Sequence, residues 1–285
     1  MEISLNKLVE IPREEWQNLR DLYKVDWPRN LVGFYTVDNF MRWTDKDPNI
    51  KHLKAFSLDG DFSDGTFLFV DRYQLFLNSL NPSNDRLKRA LSLLDWSTGY
   101  KVSSFLERHR QAVLDVVDEK KLQKEYDSQT PLFYLPKEKA AGFLVEPPPD
   151  IFLSSINAKD AKLTDDLWPN KHEGSLFFLT RLINWNINVG AYKKATNELV
   201  AWCFRLQAGP LGALQVVPSE YRRGLGTLVT KHMCKELAAI GHDTFAFVNA
   251  TNIPSKKMFE KLGFQHIDTG YWLRTFPTFD FHWTD

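Results

Sequence analysis

The sequence predicts an α+β protein built on a mixed sheet and divided between two domains. Three observations carry this. Short runs rich in Val, Leu and Phe, such as 54–58, 66–70 and 211–217, read as strands, while segments such as 84–94 and 225–240 repeat their apolar residues at helical spacing. The 285 residues exceed one ordinary domain. Prolines crowd the stretch 131–150, including Pro147-Pro148-Pro149, where neither a helix nor a central strand can continue. The domains are therefore expected at 1–140 and 150–285.

In the first half, residues 14–23 form an amphipathic helix with Trp16, Leu19 and Leu22 or Tyr23 on one side. Residues 32–35 read as a strand, and Phe40 to Trp43 open a short polar region. Two strands, 54–58 and 66–70, flank the turn Asp59-Gly60-Asp61. Leu87, Leu91 and Leu94 mark one face of a helix over 84–94. Residues 105–126 read as a longer charged helix carrying Leu106, Val113, Val117 and Leu122, its charges a solvated face. Gly33, Gly60, Gly65 and Gly99 are isolated and read as turns.

The second half reads β, α, α, β, β, β, α, β, α, β, β. A strand at 151–156 precedes helices at 160–168 and 175–185. A hairpin of 188–194 and 198–206 turns at Ala195-Thr196-Asn197. The strand 211–217 leads through a basic glycine loop to the helix 225–240, with Leu225, Leu228, Val229, Met233, Leu237 and Ile240 recurring at helical spacing and Gly241 closing it. A strand at 243–250, a short helix from Asn252 to Gly263 and a strand pair over 266–276 complete the chain.

Composition narrows the functions. The 36 basic and 36 acidic side chains cancel, so nothing in the net charge points to nucleic acid or an acidic membrane surface. Two cysteines, Cys203 and Cys234, lie in apolar patterns and make no disulfide framework, which fits a reducing compartment. No apolar run approaches the ~20 residues of a membrane span. Glu2, Glu10, Glu14 and Glu15 argue against a secretory signal or an organelle presequence, so a cytoplasmic protein is expected.

The stretch Val216-Val217-Pro218-Ser219-Glu220-Tyr221-Arg222-Arg223-Gly224-Leu225-Gly226-Thr227 carries the chemistry. Glycines two apart at a helix start let the backbone approach a ligand and leave N–H groups pointing outward, where the helix dipole also favours an anion. Arg222 and Arg223 add charge, and the natural guest is a pyrophosphate. The sequence has neither G-x-G-x-x-G with an acidic residue about twenty positions on nor G-K-[ST], which argues against a dinucleotide or a nucleoside triphosphate. The plain alternative is a turn that only joins strand to helix.

The V-x-P loop with G-x-G, the following strand, then Asn252-Ile253-Pro254-Ser255 and a short helix ending in Leu262-Gly263-Phe264 resemble the GCN5-related N-acetyltransferase (GNAT) superfamily. Asp26-Trp27-Pro28, Tyr73-Gln74-Leu75-Phe76, Leu94-Asp95-Trp96, Leu167-Trp168, Glu173-Gly174-Ser175 and Val200-Ala201-Trp202 extend the likeness to the glycine N-acyltransferase-like family. The resemblance implies a GNAT fold in tandem, with a degenerate first domain and an acyl-CoA-binding second one. It implies acyl transfer from coenzyme A to a primary amine, with no metal. A small-molecule acceptor, a monomer or weak homodimer, and the mitochondrial matrix as an alternative compartment follow from the same likeness.

By that likeness the amides of Arg222, Arg223, Gly224, Leu225, Gly226 and Thr227 hold the pyrophosphate. Val216 lies along the pantetheine arm, and an amide at Val216 or Val217 polarises the thioester carbonyl. Asn252 and Ser255 face the cofactor, although Asn252 is equally a helix cap. Two positions depart from the pattern. Tyr221 stands where Arg or Gln is usual, and Phe259 stands where many members carry a Tyr that protonates the leaving thiolate. Tyr271 is then a candidate acid, and Glu173, with His172 beside it, a candidate base whose charge would also suit a helix N-terminus.

Three readings stay open: an N-acyltransferase for an amino acid such as glycine, an acetyltransferase for a peptide or polyamine, and a catalytically inactive acyl-CoA binder. Asp165, Asp166 and Glu173 are acidic rim candidates, while Lys171, Arg181, Lys193 and Lys194 are basic, so rim charge does not choose the acceptor.

Overall fold

The computed structural model describes residues 6–281, which divide into two compact units. The first takes Met1–Pro131 with Asp268–Thr284, and the second takes Leu132–Ile267. These bounds differ from 1–140 and 150–285. The chain enters the second unit inside one long strand and leaves it inside another, and neither passage carries a composition signal of its own.

In the first unit β1 (Leu8–Glu10), α1 (Trp16–Leu22) and α2 (Leu31–Lys46) precede β2 (Leu53–Leu58), β3 (Phe67–Asp71) and β4 (Gln74–Asn78). Then come α3 (Asp85–Leu93), β5 (Lys101–Leu106), α4 (Arg110–Glu119) and the start of β6 (Lys124–Leu135). The strand order is β1-β2-β3-β4-β5-β12, with β12 (Gln265–Thr275) arriving from the end of the chain. Among the described residues of this unit only β4 and β5 pair in parallel. Leu68, Leu75, Val102 and Leu273 of the sheet pack with Leu87 and Leu91 of α3 and Val113 and Val117 of α4. Each such burial stabilises the unit by ~1.5–3 kcal/mol.

The second unit holds α5 (Lys137–Ala141), β7 (Ile151–Ser154), α6 (Ala161–Asp166), α7 (Ser175–Trp185), β8 (Asn188–Lys193), β9 (Leu199–Arg205), β10 (Leu211–Val216), α8 (Leu225–Ala239), β11 (Thr244–Phe247) and α9 (Ile253–Lys261). Its sheet runs β6-β11-β10-β9-β8-β7, again with one parallel pair, β10 and β11. Val229, Met233 and Leu237 of α8 and Phe259 of α9 close over Phe133, Val189, Ala201 and Cys203. Both cysteines are buried and free, and burial raises both thiols, Cys234 to about 12.

Four expectations are corrected. Residues 32–35 lie in α2, where Leu31, Val32, Tyr35, Phe40 and Trp43 share the buried side, and a four-residue window hides that spacing. Residues 105–126 are not one helix. β5 ends at Leu106, α4 ends at Glu119, and Lys121 at φ 54 breaks the helical path before β6. Pro131 sits within β6, just before the registered ladder to β11 begins at Leu132, so no sheet bond with β11 is forfeited. The strand pair expected over 266–276 is one strand, Gln265–Thr275, for Gly270 is paired with Leu106 and the register shift between Tyr271 and Leu273 interrupts the ladder without a turn.

Candidate functional site

The site begins where β10 parts from β11. These neighbours share a single registered pair, Leu211 with Ala246. On the other side β10 stays bound to β9 through Gly212↔Phe204, Gln215↔Trp202 and Val216↔Ala201, with a bulge between Gly212 and Gln215 and Ala213 at φ 46. The edge of β10 that faces β11 therefore carries no registered partner from Gly212 onward, and its residues are only half-buried. Val217 donates its N–H to the Val200 carbonyl at 2.8 Å. Alternation along an antiparallel strand then turns the Val216 N–H toward the open edge. Of the two expected amides, Val216 is available, and Val217 is corrected: its N–H is spent inside the sheet.

Beyond Val217 the turn Pro218–Glu220 leads to Tyr221, which is 59% exposed, and then to α8. Arg222 at φ 65 and Gly224 at φ 76 both take left-handed conformations, which swings the intervening amides out of any helical path. Gly224 offers no side-chain cap to α8, and its carbonyl accepts the Leu228 N–H at 3.0 Å. The N–H groups of Arg222, Arg223, Gly224, Leu225, Gly226 and Thr227 donate to no group among the described residues. Such a run of unspent donors at a helix start has the chemistry to receive an anion. At Gly226 an added Cβ would meet only Val216 at 3.5 Å and Met258 at 4.0 Å, which are ordinary contacts. Gly226 also has no positive φ. The protein thus has room for a side chain there, between β10 and α9, that the sequence leaves out.

The two arginines part company. Arg222 is exposed, and its guanidinium makes no ion pair among the described residues. Arg223, expected to bring positive charge to the ligand, binds Glu220 through Nη1 and both Asp150 oxygens through Nη2 at 2.8 and 2.7 Å. Its backbone amide stays in the site, but its side chain does not act as a free cation. Lys193 completes the group at 2.7 Å from the other Glu220 oxygen. Glu220 was missed by sequence reasoning although Glu-x-x-Arg is a recognisable pair, and Asp150 and Lys193 were too distant in sequence to signal anything.

The remaining candidates divide. Asn252 caps α9, its Oδ1 accepting the Ser255 N–H at 3.1 Å, and Met258 is the residue of that helix nearest Gly226. Phe259 is 4% exposed and packs edge-on against Phe264 in the core, so it has no part in proton transfer. Glu173 is exposed just before α7, with its carbonyl 2.6 Å from His172 Nδ1. Asp165, expected at the rim, is buried and receives the Ser175 hydroxyl, with Lys171 at 3.3 Å. Tyr271 is corrected as an acid. It belongs to the first unit, gives its hydroxyl proton to a hydrogen bond with Glu107, and carries Arg110 4.0 Å above its ring. Burial and then the Glu107 hydrogen bond push its hydroxyl up to about 12.

Residues 188–273, which run from β8 through the loop into β12, match the model of the FR47-like protein family. No curated protein matches the chain significantly. A Drosophila protein solved by a structural genomics consortium is 26% identical, with 96% of this chain and 99% of that chain aligned at a TM-score of 0.86. A tandem GNAT protein from the clavulanic acid biosynthesis pathway is 14% identical over 95% of this chain and 98% of its own, at a TM-score of 0.54. The chain has the GNAT fold. A GCN5-related N-acetyltransferase from Sphaerobacter thermophilus, 11% identical over 94% of this chain and 95% of its own, agrees at a TM-score of 0.50. Within the GNAT frame the unspent amides stand at the end of β10, and no helix of the described residues is long and apolar enough to cross a membrane.

Proposed function

We propose that the second unit binds an acyl-CoA and transfers its acyl group from sulfur to the nitrogen of a primary amine. One observation carries this: the unspent amides from Arg222 to Thr227 adjoin a strand edge that has lost its neighbour. A pyrophosphate fits the amides, and Arg222 adds one mobile charge. An extended pantetheine arm fits the free edge of β10 as an added strand. The Val216 N–H then faces the carbonyl whose oxygen gains charge during attack, where a fixed donor is worth most. Coenzyme A supplies the activated thioester; the chain supplies position and charge.

An arriving ammonium must lose a proton before attack, and we assign Glu173 as the first group to test for that task. No side chain of this chain is assigned as acid, since Phe259 has no proton to give and Tyr271 is bound within the first unit. The acceptor we favour is a small amine, with glycine first by family resemblance, and we place the reaction in the cytoplasm or the mitochondrial matrix. The burial of Phe259 favours a second reading, an acyl-CoA binder without transfer.

Calorimetry with acetyl-, butyryl- and benzoyl-CoA on the wild type and on Gly226→Phe tests binding. Micromolar binding that Gly226→Phe abolishes supports the site, and absence of binding to every thioester refutes it. Thiol release with a panel of amines then separates enzyme from binder.

A further inference from the structure

We propose that Arg223 is a positioning residue for the anion loop, not a ligand of the anion, and that Glu220 is the hub through which it acts. The inference rests on the acyl-CoA reading. Glu220 leaves the turn after β10 and its side chain is 8% exposed. Each of its oxygens takes a different cation, Arg223 on one and Lys193 from the end of β8 on the other. Arg223 spends its second nitrogen on both oxygens of Asp150, just before β7. The Lys194 N–H donates to the Asp150 carbonyl at 2.8 Å, which ties that residue to the end of β8. Loop, β7 and β8 are thus stapled by one chain of charges: Asp150, Arg223, Glu220, Lys193.

Two consequences follow. The four charges sum to zero, so this group lends the loop no net attraction for an anion. A phosphate seeking Arg223 would have to displace two carboxylates already in bidentate or charge-assisted bonds. What the group does supply is a fixed path for the backbone from Glu220 to Arg223, immediately before the left-handed Gly224. Donors held in place before the ligand arrives cost no ordering on binding.

The test uses conservative variants in the full chain. Arg223→Lys keeps the charge but cannot span Glu220 and Asp150 together. We expect it to weaken acetyl-CoA affinity about tenfold, the scale of one charge-assisted pair, and to raise KM for acetyl-CoA with kcat unchanged. Glu220→Gln decides the sign. A positioning role predicts weaker binding, whereas an arginine held back from the phosphate would be released and bind more tightly. Either tighter binding by Glu220→Gln or wild-type affinity in Arg223→Lys overturns the proposal. Hydrogen exchange without ligand gives an independent reading. The Leu228 amide, bonded to the Gly224 carbonyl, should exchange faster in both variants while amides of the first unit are unchanged. Unchanged exchange at Leu228 refutes the staple. If the wild type binds no acyl-CoA, the functional reading fails while this exchange measurement still judges the staple.

Discussion

The two units repeat one another element for element, and they differ where it matters. Strand, two helices, three strands, helix, strand, helix describes β1 through α4 and equally β7 through α9, with β6 and α5 standing between the two series. In each unit a parallel pair, β4 with β5 and β10 with β11, brackets a helix. At the end of β10 the loop amides are unspent. At the end of β4 the loop N–H groups from Ser79 to Asp85 are spent, four of them on the loop's own side chains. Ser79 N–H goes to Asn78, Asn81 N–H to the Ser79 hydroxyl, Ser83 N–H to Asn81, and Asp85 N–H to the Ser83 hydroxyl. Asp85 adds a negative charge to the first turn of α3, where α8 carries Leu225, Gly226 and Thr227.

The strand beside it differs too. Every residue of β4 is buried, whereas β10 is half-buried after Leu211. Asn78 Oδ1, at the end of β4, receives Arg108 Nη2 at 3.1 Å and lies 3.1 Å from His109 Nε2, while His109 Nδ1 lies 2.7 Å from Asn84. Burial, then the nearby Arg108, holds the His109 ring well below its ordinary pKa, so it fills this place as a neutral group. The shared frame does not make an anion site. The bonds of a few loop amides decide it, and Ser, Asn and Asp side chains close in the first unit what glycines leave open in the second.

Four experiments would break or sharpen the contrast. The largest effect is expected from Gly226→Phe, which should cut acyl-CoA affinity by about 100-fold or more, ~2.7 kcal/mol, while Ser83→Ala in the first unit leaves it unchanged. Calorimetry on both variants reads this, and equal losses would erase the distinction. Asn78→Ala should lower unfolding stability by ~1–3 kcal/mol because Arg108 and the Ser79 N–H lose a buried acceptor, yet leave acyl-CoA affinity alone. Denaturant titration paired with calorimetry checks both halves of that statement.

The third concerns pH. Hydrogen bonds from Lys193, then Arg223, hold the Glu220 carboxyl below the ordinary glutamate range. A depressed folded-state pKa stabilises above the unfolded value and is lost as pH falls through the folded one. The stability gap between wild type and Glu220→Gln should therefore be flat from pH 7 to about 5 and shrink toward pH 3, which melting curves across that range would reveal. The smallest effect is expected from Arg222→Ala. An exposed charge near phosphate should contribute only a few-fold in affinity, and the difference should fade between 50 and 500 mM salt.

Much of the second unit was legible because its signals are local. Helical spacing in Leu228, Val229, Met233 and Leu237 gave α8, and Gly224, Gly226 and Asn252 marked its start and the α9 cap. The first unit was harder to read. The buried face of α2 mixes Val, Tyr and Phe, which favour strands in a short window, and β5 was hidden in front of a charged helix. The staple around Glu220 was invisible because Asp150 and Lys193 meet it only through the fold. The role first given to Tyr271 failed for a similar reason: nothing in residues 266–276 says which unit their strand completes.

That last strand has a practical consequence for anyone who would take the molecule apart. The chain crosses into the second unit within β6 and back within β12, so the first unit is built from two segments that the whole second unit separates. One scissor cut anywhere between residues 131 and 150 cannot yield two whole parts. The front fragment loses the strand that lies against β5, and the rear fragment keeps that strand with no β5 to receive it.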